Sequence, residues 1–170
     1  MRLPAARVRL GVLVALLVAA QFTLRPWAFP SPMGPDFLLI ALLFYAVRSR
    51  PGAGAVAGFV VGLLTDAVAL SPFGAGALAL TVVGYLAGWL KALVFADNLL
   101  VSAVLVFAAS WLRDVLEVAA SASLRGPGLA QRLLLVAPAA ALSTAAAAVL
   151  ILLVARGWLR GAGGGGATSL

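Results

Sequence analysis

The sequence predicts an all-α polytopic membrane protein with about six transmembrane helices. Three observations carry this. Of 170 residues, 64% are hydrophobic and only 10% are charged. Soluble domains run at about 45–50% apolar and about 25% charged. Mean hydropathy is +1.15, and the apolar residues fall into runs separated by short basic or Pro/Gly-rich breaks. Such a chain lacks the polar surface to cover a soluble fold.

The first span is 8–24, after Arg2, Arg7 and Arg9. It resembles a signal peptide but shows no cleavage site, so it reads as a retained helix. Residues 25–36 hold Pro26, Pro30, Pro32 and Pro35, which oppose regular helix. Trp27 and Phe29 in that stretch suit the headgroup level. The apolar core of the second segment, 37–47, is about 16 Å long as a helix. It spans only if 34–50 all takes part, or it is a half-membrane helix. The third span is 53–70, ending at a turn over 71–74 that holds Pro72 and Gly74. The fourth is 76–94 and carries Lys91. A short loop at 96–98 leads to the fifth, 99–124, and a break at 125–128 to the sixth, 133–158. Pro138 is placed to kink the start of that last span. Residues 1–160 form one membrane domain, and the Gly-rich stretch 161–170 reads as a flexible tail.

The net charge of +7 suits membrane topology rather than nucleic acid, because the basic residues are scattered between apolar runs. With both termini cytoplasmic, eight of the twelve basic residues fall inside: Arg2, Arg7, Arg9, Arg48, Arg50, Lys91, Arg156 and Arg160. Arg25, Arg125 and Arg132 fall outside, and Arg113 lies within a span. The positive-inside rule favours that orientation. The sequence contains no Cys and no His. That excludes thiol chemistry and thiolate metal sites, and removes the commonest general base. No catalytic residue, cofactor site or metal site emerges.

Two patterns stand out within the spans. Gly54, Gly58 and Gly62 recur every four residues, with Asp66 next on the same stripe, and Gly84 and Gly88 repeat the spacing. Small residues at that spacing allow close helix contact, either within the bundle or with a partner. The second pattern is polar. Ionisable groups inside a membrane are costly and face protein or water. Asp66 lies about 20 Å along its helix, and Arg113, Asp114 and Glu117 about 21–27 Å along theirs. Under the proposed topology these groups, with Gln21 and Thr81, share the outer third of the membrane. Arg113 and Glu117 are spaced for an i, i+4 pair, and Asp114 points about 100° away. The layer reads as an ion-pair network that pins the bundle, a contact layer for a partner, a small-molecule pocket open to the outside, or a catalytic site.

One order of features is shared with a known family. An apolar run follows Pro35-Asp36, and a basic turn at Arg48 and Arg50 leads to GFVVGLLTD, ending at Asp66. A turn with Pro72 and Gly74 precedes GYLAGWLK, which holds Gly84, Tyr85, Gly88 and Lys91. This resembles the rod shape-determining membrane protein family MreD. The resemblance implies a non-catalytic scaffold of the cell-elongation machinery in the bacterial inner membrane. It implies MreC, a single-span protein, as partner, with indirect links to MreB filaments, the RodA polymerase and its transpeptidase. It also implies a fold similar to the six-helix substrate-binding subunits of energy-coupling-factor vitamin transporters. Those subunits supply the rival reading, a vitamin-binding subunit. They often dock through small residues four apart on the first helix, a spacing that Ala15 and Ala19 share. Tyr85 and Trp111 are the candidates for stacking a vitamin ring.

Overall fold

The computed structural model describes residues 5–28, 33–68, 74–90, 99–120 and 132–161. All regular structure among them is helical. The elements are α1 (Ala5–Ala28), α2 (Phe37–Ala46), α3 (Pro51–Val68), α4 (Ala75–Trp89) and α5 (Leu99–Ala120). A π-helical turn, Arg132–Val136, then leads into α6 (Ala137–Gly161). Four long apolar segments can cross a bilayer, in α1, α3, α5 and the π turn with α6. Lys91, the loop 96–98, residues 125–128 and the tail 162–170 lie outside the described residues, as does the turn 71–73.

α2 is the centre of the bundle. Its sequence, FLLIALLFYA, is apolar on every side, as a helix enclosed by protein requires. It touches all five other described helices. One face, with Ile40, Ala41 and Phe44, packs among Leu17, Val106, Ala145 and Ala148. The opposite face, with Leu39 and Leu42, packs on Leu80 and Val83 of α4.

The helix is shorter than the 34–50 span read from sequence. Asp36 caps its start, its carboxylate accepting the Leu39 amide at 3.0 Å, and Val47 caps its end. Ten residues give about 15 Å, half the hydrocarbon thickness of about 30 Å. Its neighbours supply the rest of the apolar thickness.

The end of α1 also differs from the sequence reading, while the irregularity expected near Pro138 is present. α1 runs on to Ala28, through Pro26. Proline there withholds one amide from the Phe22 carbonyl, a loss confined to the last turn. At the start of α6, Pro138 has no amide to give to the preceding turn, and the chain widens there into the π turn.

α3 and α4 form the tightest pair. They run antiparallel, and each step of four residues along α3 meets a step of four back along α4. A carbon added at Gly54 would collide with the Gly84 carbonyl, and one at Gly58 with the Leu80 carbonyl. One at Gly62 would lie 2.6 Å from the Gly76 carbonyl, and one at Gly88 2.7 Å from the Pro51 Cα. Backbone therefore lies on backbone, close enough for Cα–H···O contacts. The glycine face is filled by the chain's own α4. The outward face of α3 exposes Val56, Phe59, Val60, Leu63 and Leu64, as a lipid-facing surface would.

Candidate functional site

The site forms at one end of the bundle around Met33–Phe37, the strap that enters α2. Three helices hold it. From α1, the Gln21 side-chain oxygen accepts the Phe37 amide at 3.0 Å. From α6, Thr144 Oγ1 accepts the Asp36 amide at 3.1 Å, and the Ser143 hydroxyl donates to the Met33 carbonyl at 2.6 Å. From α5, the Arg113 guanidinium donates to Asp36 Oδ2 in a charge-assisted pair.

Asp36 is thus fully engaged. One carboxylate oxygen caps α2 and the other binds Arg113. Arg113 also reaches Glu117, one turn on, at 3.4 Å. The Asp36 and Arg113 side chains are only 13% and 20% exposed. Removing Arg113 would leave the Asp36 charge without its counter-ion, at about 3–5 kcal/mol, whereas removing Asp36 leaves Arg113 its contact with Glu117. Arg113 Nε is buried and makes no hydrogen bond.

Beside this pair lies a partly open polar cavity of about 410 Å³. Asp36, Arg113, Asp114 and Glu117 line it, with Arg25 at the end of α1 and Ser110 on α5. Val118, Leu133, Val136, Ala137 and Ala140 give it an apolar wall. The chemistry is that of paired and surplus charge beside hydrocarbon, which suits binding or positioning.

Asp66 serves a different place. Its carboxylate accepts the amides of Gly74 at 2.9 Å and Ala77 at 3.0 Å. The first turn of α4 is therefore capped by a side chain from α3. Gly74, at φ +101°, precedes α4 and has no side chain to cap with. Gly76 leaves the room, since a carbon added there would strike Asp66 Oδ1. A carboxylate at a helix N-terminus meets both free amides and the positive end of the dipole.

The structure brings Arg113, Asp114 and Glu117 to one cavity and sets Asp66 apart at the α3–α4 seam. Gly54, Gly58, Gly62, Gly84 and Gly88 all lie in that seam. Thr81 spends its hydroxyl on the Ala77 carbonyl in its own helix. Tyr85 and Trp111 face outward, and neither lines the polar cavity. The residues that sequence reasoning missed are Asp36, Ser143, Thr144, Arg25 and Ser110. An Asp just before an apolar run is an N-cap signal, so the cap at Asp36 was readable. Its partner 77 positions away was not.

A polar strap pinned within a six-helix apolar bundle is the context for the comparison with known proteins. No curated protein and no solved structure matches the chain. The family model for the rod shape-determining protein MreD matches residues 7–156. That range takes in α1 to α5 almost whole and most of α6, so the agreement extends well beyond the stretch from Pro35 to Lys91. The chain belongs to the MreD family of rod shape-determining membrane proteins.

Proposed function

We propose that this protein is a non-catalytic inner-membrane scaffold of the cell-elongation machinery. It acts on cell shape and lateral peptidoglycan synthesis through an MreC-like single-span partner, with both of its own termini in the cytoplasm. Family membership over residues 7–156 carries this reading. Through that partner the scaffold connects with MreB filaments, RodA and its transpeptidase.

The partner needs a face that the bundle does not use. The glycine seam is closed by α4, so it is not that face. α1 offers another. Gly11, Ala15, Ala19 and Thr23 recur every four residues on one side of it, and all four are exposed. Nothing lies within 4 Å of a carbon added at Gly11. A second spanning helix can approach there as closely as α4 approaches α3.

Depletion in a rod-shaped host should turn rods into spheres. Normal rods after clean depletion, with no second copy of the gene, would refute the scaffold. Co-purification of a single-span partner should be lost in Ala15→Leu while the protein still folds.

The vitamin-transporter reading is favoured by the polar cavity alone. It requires a stabilising ligand in a thermal-shift panel of vitamins, with binding weakened by Arg113→Ala. Asp66→Asn does not test that pocket, because Asp66 caps α4 outside it.

A further inference from the structure

Toward the Val47 end of α2 the bundle holds a second cavity, of about 150 Å³, between α2, α4, α5 and α6. Ala87 of α4, Ala108 and Ala109 of α5 and Ala148 of α6 line it, and side chains this small leave space unfilled between the four helices. Ile40, Phe44 and Val47 on α2 and Leu105 and Leu112 on α5 give it larger apolar walls. Among the described residues the wall carries one hydroxyl, Ser102, which is buried and has a contact of its own. A trapped water needs about two to four polar partners, and apolar cavities of about this volume stay dry and take hydrocarbon guests.

Three features define the guest. The cavity opens sideways, since Leu86 and Leu90 at the end of α4 and Ala108 on α5 both line it and are exposed. In a membrane-spanning bundle that edge faces lipid. Its length is the second feature. The wall on α5 runs from Ser102 to Leu112, about 15 Å of helix, which is the hydrocarbon depth of one leaflet in a core of about 30 Å. The third feature is that the two ends differ. Past Leu112, α5 turns Arg113 and Glu117 to the polar cavity, so hydrocarbon stops there. At the other end Arg48 follows α2. Its guanidinium lies 5.9 Å from the centre of the Phe44 ring, a wall of the slot, and donates to the Phe44 carbonyl at 3.2 Å. A guanidinium at that level suits a phosphate.

We propose that this slot seats one acyl chain of a phospholipid, its terminal methyl toward Leu112 and its phosphate at the level of Arg48. The lipid's second chain stays outside, along the exposed edge. The seated chain serves as a piece of the core, supplying the dispersion contacts that the walls of an empty slot forgo. It differs from ordinary surrounding lipid in being enclosed by four helices, and so it stays with the protein on extraction.

The test uses the full chain in phosphatidylglycerol nanodiscs, with a trace of lipid carrying a diazirine near the end of one acyl chain. After irradiation, peptide mass spectrometry should find the heaviest labelling at Leu105, Ala109 and Leu112. Surrounding lipid would instead label outward residues such as Val56 and Leu64 on α3. Native mass spectrometry after detergent extraction should show one retained lipid per chain. Ala109→Leu fills the slot, and Ala108→Phe obstructs its exposed mouth without entering the packed interior. Each should lower retention about tenfold while keeping wild-type helix content. In lipid-free detergent Ala109→Leu should hold or raise the thermal midpoint, because the leucine replaces the guest. Arg48→Gln should weaken retention of phosphatidylglycerol up to about fivefold and leave that of diacylglycerol unchanged. Labelling spread evenly over outward residues, or retention unchanged in both alanine variants, would overturn the proposal. An equal effect of Arg48→Gln on both lipids would overturn the orientation of the chain. Cell rounding on depletion bears on the scaffold and not on this slot, so the two readings fail separately.

Discussion

Two stripes of small residues run along this protein, and they have opposite fates. Gly54, Gly58 and Gly62 on α3 are buried against the backbone of α4. Gly11, Ala15 and Ala19 on α1 have the same spacing and are exposed. Spacing alone therefore marks a helix that can be approached closely, without saying by what. The difference lies in the surroundings. The α3 stripe ends in Asp66, which grips the first turn of α4 and fixes the register of the pair. The α1 stripe ends in Thr23, whose hydroxyl turns back to the Ala19 carbonyl at 2.7 Å. Among the described residues it holds nothing outside its own helix.

The largest effect is expected at the centre of the closed stripe. Gly58→Leu would drive a side chain into the Leu80 carbonyl. The cost should exceed the roughly 1–3 kcal/mol of ordinary overpacking, and little folded protein should accumulate. Fluorescence-detected gel filtration of the solubilised protein would show this. A normal monodisperse peak would mean that α4 is not seated there.

The next largest effect belongs to the clasp. Asp66→Ala strips the cap from α4 and should cost about 1–3 kcal/mol, since the lost bonds are to a charged acceptor. Asp66→Asn, which keeps an acceptor oxygen, should recover part of it. Thermal midpoints of the three proteins in one detergent give the order. If Asn is no better than Ala, the interaction depends on charge rather than on hydrogen bonding.

Gly88→Ala sharpens the limit of the seam. The added carbon would lie 2.7 Å from the Pro51 Cα, a backbone atom at the start of α3, so the two helices must part there. About 1–3 kcal/mol is expected, the ordinary range of overpacking costs. The smallest effect is on the open stripe. Ala15→Leu should leave stability within about 0.5 kcal/mol, as for other surface substitutions, while abolishing binding of the proposed single-span partner. A large fall in the thermal midpoint would mean that α1 is covered by the bundle itself.

Much of the fold was legible from sequence because the relevant signals are local. The six apolar runs, the i, i+4 glycines and the Arg113–Glu117 spacing each reside on one helix. The burial of α2 was not legible in the same way. A run that is apolar on all sides has no preferred face, so nothing in FLLIALLFYA tells a lipid-exposed helix from an enclosed one. The polar layer was legible as a depth. Gln21, Arg113 and Glu117 do gather at the strap end of the bundle. Their partners were not, because Asp36 sits in a Pro-rich break and Thr144 in an Ala-rich helix. Contacts across 77 and 108 residues leave no mark in spacing.

The enclosure of α2 has a consequence for how the protein is made. A helix of about 15 Å cannot stay across a bilayer of about 30 Å by its own apolarity. When α2 leaves the ribosome, α1 is the one described helix that precedes it. The groups that fix its entry strap arrive much later, Arg113 on the fifth helix and Thr144 on the sixth. The first hairpin therefore enters the membrane as a provisional arrangement. Its strap gains these partners only after the fifth and sixth helices have been synthesised.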